Sequence, residues 1–309
     1  MKHKGLRLLL GCIAAALLAW AAAYLTGMEF LKIALDNDNR TFTAYPLDTT
    51  FQDIYVTMPS GERHHAIYLR NDTARGRTAI VVHGYKDNCR KFAYIAMIYY
   101  RQLGYNILLP DLHAHGLSEG RDIQMGWKDR LDVKCWAHVA DTLFASKGGE
   151  KTRMVIHGVS MGAATTMCLS GEADLPDYIR CFVEDCGYTS VRKQFAWQLK
   201  EQYGLPSFPL IDICSHLCKR GGTGGIYGWS FDEASPLAQV SRCSRPMLFI
   251  HGDADTYVPF HMMQTLYDAK PQPKEMWVAR GSAHARACKD HPEAYARKVK
   301  DFVQRHIGR

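Results

Sequence analysis

The sequence predicts an α/β fold: a mostly parallel, doubly wound sheet with an antiparallel N-terminal hairpin and a lid-like insertion. Three observations carry this. Short, nearly all-apolar runs alternate with helical stretches along most of the chain, the pattern of strands buried on both faces of a parallel sheet. The first two strand-like runs instead adjoin across Pro59-Ser60-Gly61-Glu62, a turn signal that makes a hairpin. Finally, 309 residues at 47% hydrophobic and 22% charged suffice for one large core. They exclude a disordered chain, a collagen-like repeat or a small disulfide scaffold.

The chain opens with Lys2, Lys4 and Arg7, then runs 21 residues, 8–28, without a charge. About 20 apolar residues match one transmembrane helix. Positive charge ahead of the span predicts an N-terminus inside and the rest of the chain extracytoplasmic. Ala19-Trp20-Ala21 and Ala21-Ala22-Ala23 resemble signal-peptidase sites, and cleavage there would give a secreted or periplasmic product. The apolar run continues past both through Tyr24 and Leu25, which favours an uncleaved anchor in the cell membrane. Leu9-Leu10-Gly11-Cys12 brushes against a lipoprotein pattern but sits too early in the segment. Residues 1–28 are therefore read as the anchor, 29–51 as a connection and 52–309 as one globular domain.

Within that domain the hairpin strands are 53–58 and 65–70. Buried-strand patterns follow at 78–83, 105–109, 154–157, 181–184, 247–250 and 275–278. Helices are expected over 89–103, 128–146, 161–170, 262–267 and 293–306. On the last, Tyr295, Val299, Phe302 and Val303 share one face. Residues 188–245 break the rhythm. This long segment holds Phe195, Trp197, Tyr203, Phe208 and the run Gly221-Gly222-Thr223-Gly224-Gly225-Ile226-Tyr227-Gly228, and insertions of that length are usually lids or binding loops. Its aromatics fit an acyl pocket and the insertion's own core equally well.

The net charge of +7 is not a nucleic-acid signature. It resides in the first seven residues and in 285–309, which hold seven Lys/Arg against three Asp/Glu; the 277 residues between are near neutral. No basic groove with interleaved aromatics is present there. The ten cysteines include no C-x-x-C, and nine lie outside the anchor. They read mainly as small buried hydrophobes.

Gly158-Val159-Ser160-Met161-Gly162 is a G-x-S-x-G pattern. A strand precedes it and a helix rich in small residues follows, the setting that a strained nucleophilic serine requires. A serine hydroxyl needs a base and an orienting acid, and on this kind of sheet they follow in the order Ser, Asp, His at strand ends. His284, after the strand 275–278, is the base. Asp253 and Asp255 both follow the strand 247–250. Asp255, further along the loop, is the better placed, while Asp253 suits a turn. The oxyanion hole takes two backbone N–H groups, those of Met161 and of Tyr85 after His83-Gly84.

These motifs, with Asp111-Leu112-His113-Ala114-His115-Gly116-Leu117-Ser118 and His251-Gly252 through Val258-Pro259, resemble the α/β-hydrolase superfamily from about residue 53 to the C-terminus. More narrowly the chain is similar to bacterial membrane-anchored serine hydrolases related to prolyl-oligopeptidase-like peptidases, through Glu184-Asp185-Cys186-Gly187-Tyr188 and Tyr203-Gly204-Leu205-Pro206-Ser207-Phe208-Pro209. The resemblance supports Asp255 over Asp253, because the family's acid stands three residues before the Val-Pro pair. It also implies a structural role for 111–118.

The expected function is a serine hydrolase acting on a carboxylic ester or an amide through an acyl-enzyme, with esters preferred. A peptidase or aminopeptidase-like enzyme and an acyltransferase are the alternatives; the intact residue set speaks against a non-enzymatic binding protein. The expected partners are a small-molecule ester or amide, or a peptide, together with the membrane. No cofactor and no metal is expected: Asp111, His113 and His115 have a D-x-H-x-H look, but the serine set accounts for the pocket without one. His64-His65 reads as a solvated hairpin pair, and Asp132 and Trp136 as packing or capping groups.

Overall fold

The computed structural model describes residues 2–38, 40–145, 151–220 and 227–308. Eight strands form one sheet in the order β1-β2-β4-β3-β5-β6-β7-β8. They are β1 (Gln52–Thr57), β2 (Arg63–Leu69), β3 (Arg77–Val82), β4 (Asn106–Pro110), β5 (Arg153–Val159), β6 (Ile179–Asp185), β7 (Met247–Gly252) and β8 (Lys274–Ala279). The hairpin β1–β2 is antiparallel and joins β4 antiparallel; every other pairing is parallel. The predicted strands and hairpin thus lie where the sequence put them.

The helices are α1 (Lys2–Leu35), α2 (Ala93–Met97, continued by a π-turn at Ile98–Gln102), α3 (Asp129–Leu143), α4 (Met161–Ser170), α5 (Val191–Tyr203), α6 (Leu210–Arg220), α7 (Pro236–Val240), α8 (His261–Ala269), α9 (Ala287–Asp290) and α10 (Pro292–Ile307). Successive strand residues point to opposite faces, so each central strand feeds two cores. Ile80, Val82, Met154 and Ile156 join α3, α4 and α8 on one face. Ala79, Val81, Val155 and Val159 join α2 and α10 on the other. The predicted face of α10 is the buried one, with Tyr295, Val299, Phe302 and Val303 at 0% exposure. Every residue of α4 is buried, which is why it is built from Ala163, Ala164, Thr165 and Thr166. The insertion 188–245 contributes α5, α6 and α7. Residues 221–226 of its Gly-rich run lie outside the described residues, as does 146, the expected end of the helix now seen as α3.

The apolar helix does not stop at Met28. α1 continues to Leu35, and its last turns bury Leu31, Ala34 and Leu35 against the domain. Gly27 lies against Ile213, Cys214 and Leu217 of α6, where a Cβ would meet the Ile213 side chain at 3.0 Å. Phe30 packs edge-on to Phe195 of α5.

The cysteines are unbridged among the described residues, and all but Cys12 and Cys135 are buried. His64 and His65 are buried as well, at 0% and 1% exposure, which corrects the reading of a solvated pair. β2 lies between β1 and β4. Its two faces are both covered, so adjacent residues bury on opposite sides. His65 is held between Asp111 (2.7 Å) and Asp53 (2.9 Å).

One buried polar network ties the sheet to α10. His157 Nδ1 is 2.9 Å from the Tyr99 hydroxyl and Nε2 2.9 Å from that of Tyr295. Tyr295 donates its proton to Asp185 Oδ2, so its oxygen accepts from Nε2–H and Tyr99 donates to bare Nδ1; the imidazole is therefore neutral. Burial pushes its pKa from 6.5 down to about 3. The unfolded chain thus binds one more proton than the fold between those values. The associated stability is complete above pH 6.5 and drains away as pH falls towards 3. Denaturant unfolding followed against pH should show His157→Gln with a shallower acid slope, by about 1.4 kcal/mol per pH unit. A slope identical to that of the parent would contradict this account.

Candidate active site

Ser160 occupies the turn between β5 and α4 with φ 58 and ψ −117, a left-handed conformation that L side chains rarely hold and that stores about 1–3 kcal/mol. Neighbouring main chain keeps it there. Ser160 N donates to Asp185 O at 2.8 Å, and Ala164 N to Ser160 O at 3.0 Å. The flanking glycines are steric necessities. A Cβ on Gly158 would stand 2.0 Å from Gly162 O, and one on Gly162 would stand 2.2 Å from Val82 O.

The structure brings Ser160, His284 and Asp255 together, each at the carboxyl end of a strand. His284 Nε2 is 2.8 Å from Ser160 Oγ, and its Nδ1 is 2.7 Å from Asp255 Oδ2. Asp255 Oδ1 accepts from the N–H groups of Tyr257 and Val258, both at 2.9 Å. His251 Nε2–H is shared between Val258 O (2.8 Å) and Asp255 Oδ2 (3.2 Å). Burial alone would raise the Asp255 pKa; the hydrogen bonds from His251 and His284 outweigh it and hold the group at about 2. Asp253 is not part of this chain of contacts. It accepts from Gly281 N at 2.6 Å and pairs with Arg280 at 3.0 Å, pinning the turn after β8.

Tyr85 and Met161 flank the serine. The Gly84 backbone approaches so closely that a Cβ there would lie 3.4 Å from Ser160 Cβ. Met161 is the first residue of α4, a position whose N–H has no intrahelical partner. Neither the Tyr85 nor the Met161 N–H finds a protein acceptor among the described residues. Two neutral histidines prop up the loop that carries Tyr85. His115 Nδ1 donates to His113 O, so Nε2 accepts from Lys86 N at 3.1 Å. His83 Nδ1 donates to Gly84 O, so Nε2 accepts from Leu112 N at 3.0 Å. Burial, then the nearby His83, pushes the His115 pKa down to about 3. The same loop grips the end of α1, where the Tyr85 hydroxyl donates to Ala34 O at 2.7 Å and Lys86 Nζ to Ile33 O at 3.2 Å.

A cavity of about 340 Å³ opens beside Ser160, walled by Tyr85, Phe92, Tyr94 and Tyr257 with Lys91 and Lys289 at its edge. None of the described residues of 188–245 lines it. The insertion instead grips the loop that carries Asp255. Gln194 and Gln198 of α5 donate to Tyr257 O at 2.9 and 2.7 Å, and Trp197 Nε1 to Thr256 O at 3.0 Å. Phe195 and Phe231 are its own core.

Sequence reasoning missed Cys186, whose thiol forms a tight cluster with the Asp255 and His284 side chains. It also missed His83 and His115 as loop supports. Positive φ angles at Lys86, Cys186 and Ala285, each in or beside the site, mark the same strained region as Ser160. Asp111, His113 and His115 do not converge on a common ligand. Asp111 accepts from His65, Cys89 N and Leu117 N, whereas His113 turns towards Glu62.

No family model matches the chain. It is 28% identical to the uncharacterized protein YqkD of Bacillus subtilis over 97% of both chains. Its structure is similar to that of esterase Pf2001 of Pyrococcus furiosus, with a TM-score of 0.69 at 23% identity over 89% of this chain and 99% of that one. It also matches acylaminoacyl peptidase of Pyrococcus horikoshii, with a TM-score of 0.60 at 16% identity over 84% of this chain and 42% of that one. The fold is that of the α/β-hydrolases.

The glycine contacts make a sharp expectation. Gly162→Ala must push apart α4 and the end of β3, so it should destabilise the domain by about 3 kcal/mol or prevent folding, at the upper end of overpacking effects. Thermal unfolding of the variant checks this, and an unchanged Tm would mean that the close approach is not obligatory.

Proposed function

We propose that the protein is a serine hydrolase cleaving a carboxylic ester, or an amide, through an acyl-enzyme. The observation that carries this is the unbroken hydrogen-bond chain Asp255–His284–Ser160. Ser160 Oγ attacks the substrate carbonyl carbon while its proton passes to His284 Nε2. Asp255 fixes the Nδ1–H tautomer and stabilises the imidazolium. The developing oxyanion rests against the N–H groups of Tyr85 and Met161. Collapse releases the alcohol or amine, protonated by His284, and leaves Ser160 acylated. A water deprotonated by His284 then attacks the acyl carbon, and the second collapse frees the acid and restores the serine. Likeness to an esterase favours esters, and likeness to an acylaminoacyl peptidase favours amides as the second reading.

A fluorophosphonate probe should label the folded protein and fail on Ser160→Ala, with hydrolysis of p-nitrophenyl esters down by about 10⁴-fold or more. Equal labelling of the two proteins would end the serine-hydrolase reading. Faster turnover of aminoacyl amides than of esters would shift it to a peptidase.

We also propose that residues 1–28 act as an uncleaved membrane anchor, 29–51 as a connection and 52–309 as an extracytoplasmic catalytic domain. In support, Gly5–Leu35 has a mean hydropathy of 2.2 in its most apolar window, and that window is 0% buried. Leu8, Leu9, Leu17, Leu18 and Trp20 are exposed on it. The protein should sediment with membranes after alkaline washing and be digested by protease added outside intact cells stripped of their wall. Recovery in the soluble fraction, or protection from that protease, would refute the anchor or its orientation.

A further inference from the structure

We propose that Glu62, His64 and His113 bind a divalent first-row transition-metal ion of the zinc class, with Asp132 as the fourth ligand. Ligand atoms of the first three lie within 4.8 Å of one another. Glu62 Oε2 is 3.1 Å from His113 Nδ1, and Asp132 Oδ2 is 3.8 Å from His64 Nδ1. The two imidazoles meet edge-on, with centroids 5.6 Å apart. None of these residues lines the cavity at Ser160.

His64 points to a ligand on its own. It is fully buried, yet neither ring nitrogen has a hydrogen-bond partner among the described residues. Buried polar atoms are nearly always paired, and an orphan calls for an unseen ion or water. Asp122 Oδ2 and Gln124 Oε1, in the cavity that Glu62 and His113 also line, have no partner among the described residues either. Carboxylates are also crowded here, with Glu62, Asp122 and Asp132 all lining one cavity. The nearby cations are committed elsewhere, Lys128 to Tyr227 O at 2.6 Å and Arg121 to Asp38 at 3.3 Å.

A cation at this point answers the orphaned imidazole and the crowded carboxylates together. Two imidazole nitrogens and two carboxylate oxygens suit zinc and its neighbours better than magnesium or calcium. Metal–ligand bonds of about 2.0–2.2 Å require donors no more than roughly 4.2 Å apart. The Glu62 side chain, at 36% exposure, has the freedom to close the remaining gap. With His113 Nδ1 on the metal, its Nε2–H points to Asp122 Oδ1 at 3.7 Å, the carboxylate–histidine–metal arrangement that orients such ligands. A cavity of about 520 Å³, lined by Glu62, His113, Asp122 and Asp132, gives the ion a way in. The site would staple the β1–β2 hairpin to the loop after β4 and to α3. That loop also carries His115, on which Lys86 N rests.

The test uses the full chain in detergent, stripped with a chelator and titrated with Zn²⁺ or Co²⁺ alone. One equivalent should bind saturably, Co²⁺ should give the visible absorption of a four-coordinate site, and Tm should rise. His64→Gln and Glu62→Gln should each weaken binding at least about tenfold. Cys186→Ser should keep the stoichiometry, which separates this site from the thiol cluster beside His284. If the His64 variant does not fold, Glu62→Gln at the surface carries the comparison. Absence of saturable binding, or affinity unchanged by the substitutions that fold, would overturn the proposal.

Discussion

The left-handed turn at Ser160 is held by contacts that leave no room for a side chain on either glycine beside it. Gly162 abuts the carbonyl of Val82, so α4 presses on the end of β3. The loop after β3 is therefore fixed relative to the serine, and Tyr85 with it. On the other side, Ser160 N is tied to Asp185 O, and the Asp185 carboxylate to Tyr295 and through it to His157. His157 immediately precedes Gly158. The turn is thus clamped by β3, β6 and α10 at once, and this clamping sustains its φ of 58. The strain that exposes the hydroxyl is held by packing spread over both faces of the sheet.

Electrostatics divides the surroundings into fixed and neutral parts. Asp255 receives hydrogen bonds at both oxygens and stays ionised far below neutral pH. The histidines that shape the loop at Tyr85 are kept uncharged by burial. His83 and His115 each use one nitrogen as donor and the other as acceptor. Protonating either would destroy the acceptor that holds Leu112 N or Lys86 N. In the proposed mechanism His284, which is partly open to the cavity, is the imidazole that exchanges a proton with Ser160.

Much of this was legible in the residues. The alternation of apolar runs and helices read correctly because parallel strands are covered on both faces and tolerate little else. That Ser160, Asp255 and His284 would meet was readable because side chains at the strand ends of such a sheet gather at one edge. His64 and His65 were misread because adjacent polar residues in a hairpin look solvated; only the packing of β2 between β1 and β4 shows that both faces are covered. His113 was weighed with Asp111 and His115 by local spacing, whereas its neighbours Glu62 and His64 come from the β1–β2 hairpin about 50 residues earlier. Contacts across strands carry no spacing signature. For the same reason the insertion's grip on the Asp255 loop was invisible, since Gln194 and Gln198 reach main-chain oxygen rather than a recognisable partner.

The length of α1 links the proposed anchor to the site. Thirty-four helical residues extend about 51 Å, whereas a bilayer core takes about 20 residues. The surplus is the segment that docks on α5 and α6 and ends at Leu35. Its final carbonyls, those of Ile33 and Ala34, would be unpaired at a helix terminus, and they are capped by Lys86 and Tyr85. The helix end and the loop beside Ser160 therefore satisfy each other. Cleavage after Ala21 or Ala23 would leave this contact intact, because every α1 residue from Gly27 onward would remain. What cleavage would remove is most of the exposed apolar portion, of which only Ala23 packs against the domain's core. The two portions of α1 thus answer to different solvents: the first to lipid in the proposed reading, the second to the protein interior behind the loop that carries Tyr85.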